Sequence, residues 1–295
     1  MKLYFFIFTA LIFLSLSSCK KEDNFEDIDI PIEEQDVTCL YHEISALNAI
    51  KELFISGQQL AFTETNFVFN TLSNGCAINK DSISSKDSMK LNLNFGNQIS
   101  LSKDGKFRSG VVEYVYSKNK SFCDSGNVIK LFLKNYRVDS LLINGIQTLK
   151  NNGKVNDTMS WGITSTLLIT NNKSKSFSYN GNHFILLNNY SSSFIDYKHS
   201  LNFDYAIFKL RGSAFGKNIV EETYSSTLNN NVEFSLLCKA DNNFQTNSQF
   251  IKGAVLYQTK SLFSQKNSII DFGIGICDSK VTLKSKGYSI ETTYK

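Results

Sequence analysis

"VIKLFLKNY" (Val128–Tyr136) puts Ile129, Leu131 and Leu133 on one side of an extended chain, and Lys130, Phe132 and Lys134 on the other. Successive side chains of a strand point to opposite faces, so this is a strand with one face toward a core. "KLNLNFG" (Lys90–Gly96) repeats the pattern, with Leu91, Leu93 and Phe95 against Asn92 and Asn94. "GVVEYVYS", "STLLITN", "HFILLNN", "YAIFKLRG", "VEFSLLC" and "GAVLYQT" read the same way. Turn signals lie between them: "KDGK" (103–106), "NNG" (151–153), "YNGN" (179–182), "NNN" (229–231) and "ADNN" (240–243). Connections this short join antiparallel neighbours, because a parallel crossover takes a dozen residues or more. The chain beyond Gly57 therefore reads as mainly β, either an antiparallel sandwich or one large curled sheet of hairpins. Periodicity leaves those two open.

One segment breaks the pattern. In "DVTCLYHEISALNAIKELFISG" (Asp36–Gly57), Leu40, Ile44, Leu47 and Phe54 share a face, with Ile50 and Leu53 beside them. Asp36 or Thr38 can cap its start and Gly57 can end it, so a helix is expected over 38–56. Such a helix is expected to cover one end or face of the sheet.

The chain begins with Lys2, an apolar run from Leu3 to Leu16, and the small residues Ser17 and Ser18. This is the layout of a secretory signal over 1–18, with an apolar segment too short to cross a bilayer stably. Leu16-Ser17-Ser18-Cys19 resembles the lipobox of bacterial lipoproteins, in which the cysteine thiol receives a diacylglycerol and becomes the first residue. Two or three acyl chains, at about 0.8 kcal/mol per buried CH₂, make a stable anchor where one does not. Residues 19–36 hold Glu22, Asp23, Glu26, Asp27, Asp29, Glu33, Glu34 and Asp36. Mutual repulsion and few apolar groups make this an extended tether, reaching up to roughly 60 Å. Lys21, Glu22 and Asp23 resemble the lysine-plus-acids signal that sends lipoproteins of the Bacteroidota to the cell surface. The expected location is the outer membrane, lipid-anchored through Cys19 and displayed at the surface, with a periplasmic face as the alternative.

The remainder, 37–295, is long enough for one large domain. The formal net charge is +4, and no basic cluster or glycine-arginine run points to nucleic acid. Besides Cys19 there are Cys39, Cys76, Cys123, Cys238 and Cys277. In an exported chain these favour disulfides, and an odd five leaves at least one outside any internal pair. None forms a Cys-x-x-Cys, which argues against structural zinc.

"RSGVVEYVYS", "VIKLFLKNYRVDSLLINGIQTL" and "SIIDFGIGICDSKVTLKSKGYSIETT" together resemble uncharacterised exported lipoproteins of the Bacteroidota. Those chains carry an aspartate-Phe/Tyr-Gly strand early and again near the C-terminus. The matching positions are Arg108, Ser109 and Gly110; Asn135, Tyr136, Val138, Asn144 and Gly145; and Gly273, Gly275, Cys277 and Asp278. Asn94 stands where an aspartate is usual, and Ile99 lies near where a cysteine is usual. "LNFG" (93–96) and "IDFG" (270–273) echo each other within the chain. The resemblance implies one β-rich exported domain and favours a Cys238–Cys277 disulfide; it implies no activity. Such a bridge demands curling, since strands two apart in a meander lie nearly 10 Å apart, beyond the disulfide reach of about 7 Å.

Catalytic signatures are sparse. His42, His183 (placed at a turn) and His199 have no His-x-His or His-x₃-His partner, so no metal or other cofactor is expected. No Gly-x-Ser-x-Gly elbow occurs, and "GSAFGK" (212–217) lacks the ending and the helix of a phosphate loop. Glu113, Asp204 and Asp271 are the strand-borne acids a glycosidase would need, and each reads better as an acid on a solvated strand face. Trp161 reads as core, with a sugar-stacking platform as the alternative. Ser82, Ser88, Ser140 and Thr158 follow aspartate and precede an apolar residue, which resembles the O-glycosylation signal of exported Bacteroidota proteins. The expected function is a non-enzymatic binding or envelope-structural role with a glycan or protein ligand. A carbohydrate-binding or carbohydrate-active lipoprotein is the alternative.

Overall fold

The computed structural model describes residues 34–61, 77–81, 87–102, 106–117, 119–120, 124–188, 206–239, 246–261, 264–278 and 280–293. One helix, α1 (Glu34–Ala61), precedes the strands β1 (Ala77–Asp81), β2 (Ser88–Asn94), β3 (Ser100–Leu101), β4 (Phe107–Ser117), β5 (Val128–Val138), β6 (Leu141–Val155) and β7 (Thr158–Thr170). These are followed by β8 (Ser176–Leu187), β9 (Ile207–Lys217), β10 (Thr223–Lys239), β11 (Thr246–Lys260), β12 (Gln265–Ile274), β13 (Lys280–Ser285) and β14 (Tyr288–Thr293). All fourteen strands belong to one antiparallel sheet. Each is bonded to its neighbour in sequence, except that β2 pairs with β4 and the short β3 sits beside β4. Of the two expected architectures the chain adopts the single sheet.

The helix is longer than expected at both ends. Glu34 and Asp36 fall in its first turn, where the positive end of the helix dipole favours acids. The end of the acidic tract is therefore helix, and neither Asp36 nor Thr38 caps it. Gly57 does not end it either. A glycine inside a helix costs only about 1 kcal/mol relative to alanine, and packing along α1 outweighs that.

That packing comes from every side. Residues of β4, β7, β8, β9, β10, β11 and β14 all touch α1. A flat sheet from β4 to β14 would be nearly 50 Å wide at about 4.8 Å per strand, against a helix about 10–12 Å thick. The sheet must therefore curl around the helix, and α1 occupies its concave side instead of covering one face. Leu40, Ile44, Leu47, Ile50, Leu53 and Phe54 are buried as expected, and so are Cys39, His42, Glu43, Ala46, Ala49 and Lys51. Among the described side chains of α1 one stripe is half-exposed, through Val37, Thr38, Tyr41, Ser45, Asn48, Glu52 and Ile55. It is held at both sides: Tyr41 hydrogen-bonds Thr292 on the edge strand β14, and Glu52 ion-pairs with Lys106 and with Arg108 of β4.

Curling is built in by bulges arranged as mirror partners about the β7–β8 hairpin. In the first half Gly145 of β6 (φ +133°) lies so close to β7 that an added Cβ would stand 2.2 Å from the Thr166 carbonyl oxygen. In the second half Gly212 of β9 (φ +132°) meets the Asn182 carbonyl of β8 at the same 2.2 Å. One strand further out, Gly110 abuts the backbone of Asn135 (φ 50°) and Gly253 abuts that of Asn231 (φ 52°). Further out again, Gly96 donates its N–H to Asn94 Oδ1 at 2.9 Å and Gly273 donates to Asp271 Oδ1 at 3.0 Å. The "NFG"/"DFG" echo is thus one turn made twice, with Asn94 filling the aspartate's role. The order of these devices is reversed in the second half, which tandem duplication does not produce. Shared bending of the sheet accounts for it.

The same chemistry explains three misread turns. "NNG" (151–153) lies inside β6 at a register shift against β7, where Gly153 donates to Asn151 Oδ1. "NNN" (229–231) lies inside β10 at its register shift. "YNGN" (179–182) is the middle of β8, so His183 is on a strand and not at a turn. Asparagine and glycine supply the unusual backbone angles that turns and bulges both need. The β7–β8 turn is instead 171–175, where Asn171 Oδ1 accepts from Lys173 N and Lys175 N. "ADNN" and most of "KDGK" lie outside the described residues.

Cys238 and Cys277 form a disulfide with Cα atoms 5.3 Å apart. The reach problem is solved by unequal strand lengths. The β11–β12 ladder stops at Lys252–Ile274, whereas β10 and β11 stay paired as far as Lys239–Thr246. Past Ile274 the chain leaves the sheet and is free to approach β10.

Candidate functional site: polar groups between helix and sheet

Alternation gives β7 and β8 an inward face, and that face is apolar except near the first half of α1. There Tyr179 and His183, two residues either side of Gly181, stack with ring centroids 6.1 Å apart, and Tyr179 Oη and His183 Nε2 share a hydrogen bond at 3.3 Å. A Cβ at Gly181 would stand 2.7 Å from both rings, so glycine is what lets them share this face.

Across from them α1 presents His42 and Glu43. Asn171 Nδ2 donates to His42 Nε2 at 3.1 Å, which leaves the imidazole proton on Nδ1, and the ring packs on Phe177. Ser226 of β10 donates to Glu43 Oε1 at 2.6 Å. Glu43 Oε2, His42 Nδ1 and His183 Nδ1 have no hydrogen-bond partner. Alongside, Cys39, His42, Glu43, Phe177, Tyr224 and Tyr257, among others, line a shallow indentation with no room for a water molecule.

Burial dominates the electrostatics. It pushes Glu43 up to about 7, offset in part by the Ser226 hydrogen bond, because a charge out of water is costly. It holds both His42 and His183 down at about 4, so both rings are neutral at physiological pH. Tyr179 and Tyr224 are raised by burial and then by the Glu43 charge, so both stay phenols. Two turns on, burial and then Lys106 hold the Lys51 ammonium well below its usual range, over the Phe250 ring. The cluster can hold and exchange a proton on Glu43 near neutrality. Its Ser226 hydroxyl is 2% exposed, out of a substrate's reach.

The other candidate residues fall elsewhere. Trp161 is 1% exposed and packs edge-on against Phe54, so it is core and offers no platform to a sugar. Glu113 on β4 is bonded by Lys90 and Lys134, which outweigh partial burial and hold its carboxyl below the usual range. Asp271 on β12 pairs with Lys284. Seven strands lie between these two acids in the order of the sheet, and each is engaged in an ion pair of its own. Residues 212–217 are part of β9. Ser140 is exposed in the β5–β6 turn, whereas Ser88 and Thr158 are half-buried at strand starts. Cys19, Lys21, Glu22, Asp23, Cys76, Ser82, Cys123, His199 and Asp204 lie outside the described residues. Among the described residues no three His, Cys, Asp or Glu side chains are placed to hold a metal ion.

Of the residues behind the resemblance, those in the first half of the sheet converge. Arg108 Nε donates to Tyr136 Oη at 3.3 Å, Asn144 Oδ1 accepts from Asn135 N at 2.8 Å, and Gly110 lies against Asn135. Phe95 packs at a tilt against Tyr136 and its N–H bonds the Gly110 carbonyl. They form the corner that bends β2, β4, β5 and β6 and ties them through Arg108 to Glu52. Their work is architectural. Comparison with protein-family models, curated proteins and solved structures finds no match for this chain.

Proposed function

We propose that this protein is an outer-membrane lipoprotein, anchored through Cys19 and carrying a β domain with a binding or envelope-structural role at the cell surface. The observation that carries the reading is Cys19 itself, placed directly after the apolar run 3–16 and directly before Lys21, Glu22 and Asp23. In this reading the outer face of the sheet meets the ligand, since α1 fills the concave side, and Glu113 and Asp271 serve ion pairs. The Cys238–Cys277 bridge suits an oxidising compartment. A glycan ligand would have to use the outer face, because Trp161 is buried; a glycan-array screen of the intact chain reads that directly.

Metabolic labelling with a clickable fatty acid tests the anchor. Wild type takes up label and Cys19→Ala does not; equal label on both overturns the reading. Replacing Lys21, Glu22 and Asp23 by alanine leaves label intact but removes protease sensitivity on whole cells. Persistent cleavage of that variant on intact cells places the export signal elsewhere.

A further inference from the structure

We propose that the outer face of strands β5–β9, around Phe184 and Arg211, is a binding surface for an acidic polysaccharide. The five strands contain no aspartate or glutamate, and they carry eight lysines and arginines. Four of these, Lys134, Lys154, Lys209 and Lys217, pair with Glu113, Asp157, Glu233 and Glu221, and every one of those acids lies outside the five strands. Lys130, Lys150 and Arg211 are exposed on the outer face, alternating with buried Ile129, Leu131, Leu149 and Leu210, and meet no acid among the described residues. On either side the sheet mixes both signs, with Glu113 on β4, Glu233 on β10, Asp271 on β12 and Glu291 on β14. The purely cationic surface is thus one continuous stretch of five strands.

The register of the strands shows what those cations enclose. Lys150, Gly162, Phe184 and Arg211 lie opposite one another in one row across β6, β7, β8 and β9. Lys130, Thr148, Thr164, Asn182 and Ser213 make the neighbouring row. The Arg211 guanidinium stands 5.3 Å from the centroid of the half-buried Phe184 ring. The ring orients it, and its N–H fork stays available to a planar anion. Gly162 leaves a notch beside that ring, where a Cβ would lie 3.5 Å from Asn152 Nδ2 and 3.8 Å from Phe184 Cε1. Together these groups match a sugar that carries carboxylate or sulfate. The hydroxyls and amides can bond its hydroxyl groups, the aromatic carbons can cover its C–H face, and the cations can pair with its acids. A neutral sugar would leave the cations unused, and an acidic peptide would have no need of the hydroxyl row. The inference rests on the surface-binding role proposed above and names its ligand class.

The test is full-length lipidated protein in phosphatidylcholine vesicles, mixed with fluorescent polygalacturonate or chondroitin sulfate and floated. Flotation of the protein reads the anchor, and glycan carried up with it reads the sheet. The expected result is capture of an acidic polymer, weakened at least tenfold by Arg211→Glu and severalfold by Phe184→Leu, which keeps the side chain apolar. Lys260→Glu changes the net charge equally but lies on β11, and it should leave capture unchanged. Capture untouched by Arg211→Glu or by Phe184→Leu places the ligand off this patch and overturns the proposal. Flotation with capture of neither polymer overturns the ligand and leaves the anchor standing. Protein that fails to float overturns the anchor, and capture is then read on the same protein in detergent. Polyglutamate held as tightly as the glycans, or an equal loss in Lys260→Glu, means that charge alone is sensed and overturns the glycan. Equal retention of carboxyl-reduced polygalacturonate overturns the requirement for an acid. Tighter capture of polyadenylate assigns the face to nucleic acid and overturns the proposal as well.

Discussion

Ser226 Oγ donates to Glu43 Oε1 at 2.6 Å in a fully buried contact that ties the helix to β10. It joins residues 183 positions apart, and it satisfies only one of the two carboxyl oxygens. A carboxyl so placed is comfortable when protonated and costly when charged.

Stability should therefore depend on pH in a way that Glu43→Gln changes. Glu43 holds its proton to about 7 in the fold and loses it near 4.5 when unfolded, so its contribution declines as pH rises through that window. His42 and His183, held at about 4 in the fold against 6.5 unfolded, act oppositely and lose stability as pH falls. Between pH 5 and 6 the unfolded chain gains two histidine protons and the fold keeps one on Glu43, a net difference of one. Glu43→Gln raises that difference to two. Denaturant titrations at pH 5 and pH 6 should show the variant's stability rising more steeply by about 1.4 kcal/mol per pH unit. Parallel slopes would mean that Glu43 is charged throughout.

The mirrored bulges make a second prediction. Gly145→Ala and Gly212→Ala each add a methyl that meets a neighbouring carbonyl oxygen at 2.2 Å and also strain a positive φ. Each should cost at least about 2–3 kcal/mol. Gly96→Ala suffers only the φ penalty, since nothing lies within 4 Å of its Cβ position, and should cost clearly less. Urea midpoints rank the three, and equal losses at all of them would show that close approach is not what selects glycine in the sheet.

Those bulges also mark where sequence reading stopped. Strands were legible because Ile129, Leu131 and Leu133 or Leu91, Leu93 and Phe95 keep strict period two, and one buried face leaves no other register. Turns were not, because Asn151-Asn152-Gly153 and Asn229-Asn230-Asn231 carry backbone angles that a bulge and a hairpin demand alike. The helix core was legible and its surroundings were not. His42, Glu43 and Lys51 lie off the apolar face of Leu40, Ile44, Leu47 and Phe54, and their burial follows from the curl of the sheet. A usable signal did exist: Thr38, Tyr41, Ser45, Asn48 and Glu52 form a continuous polar stripe at spacings of three and four. That stripe already accounts for the open side, so His42, Glu43 and Lys51 had to point inward. Tyr179, Gly181 and His183 likewise show an inward polar pair only once "YNGN" is read as strand.

Glycosylation, if the Asp-Ser/Thr signal is used, should favour Ser140. It is exposed in a two-residue hairpin turn whose Asp139 is fixed by bonds with Phe107 N and O. Thr158 is half-buried with its hydroxyl directed at Asn188, and Ser88 is half-buried at the start of β2. Intact-mass measurement on protein from a Bacteroidota host should show a glycan that Ser140→Ala removes. A mass equal to the lipidated polypeptide, or a glycan that survives in Ser140→Ala, would refute the assignment.

The last prediction separates the two ends of the disulfide. The bridge closes a stretch of 39 residues, for which loss of chain entropy in the unfolded state predicts about 4 kcal/mol of stabilisation. Cys277 is exposed, so Cys277→Ser removes the bridge and little else. Cys238 is fully buried, so Cys238→Ser removes the bridge and also places a hydroxyl in the core, adding about 1–3 kcal/mol when it finds no partner. The order of stability should be wild type, then Cys277→Ser, then Cys238→Ser, with the double serine variant no worse than the last. Under reducing conditions wild type should fall to the level of Cys277→Ser, because both then lack the same link. Denaturant midpoints with and without reductant decide the matter. A wild type indifferent to reductant, or peptide mapping that joins Cys238 to a cysteine other than Cys277, would show that this pair does not hold the end of β12 to β10.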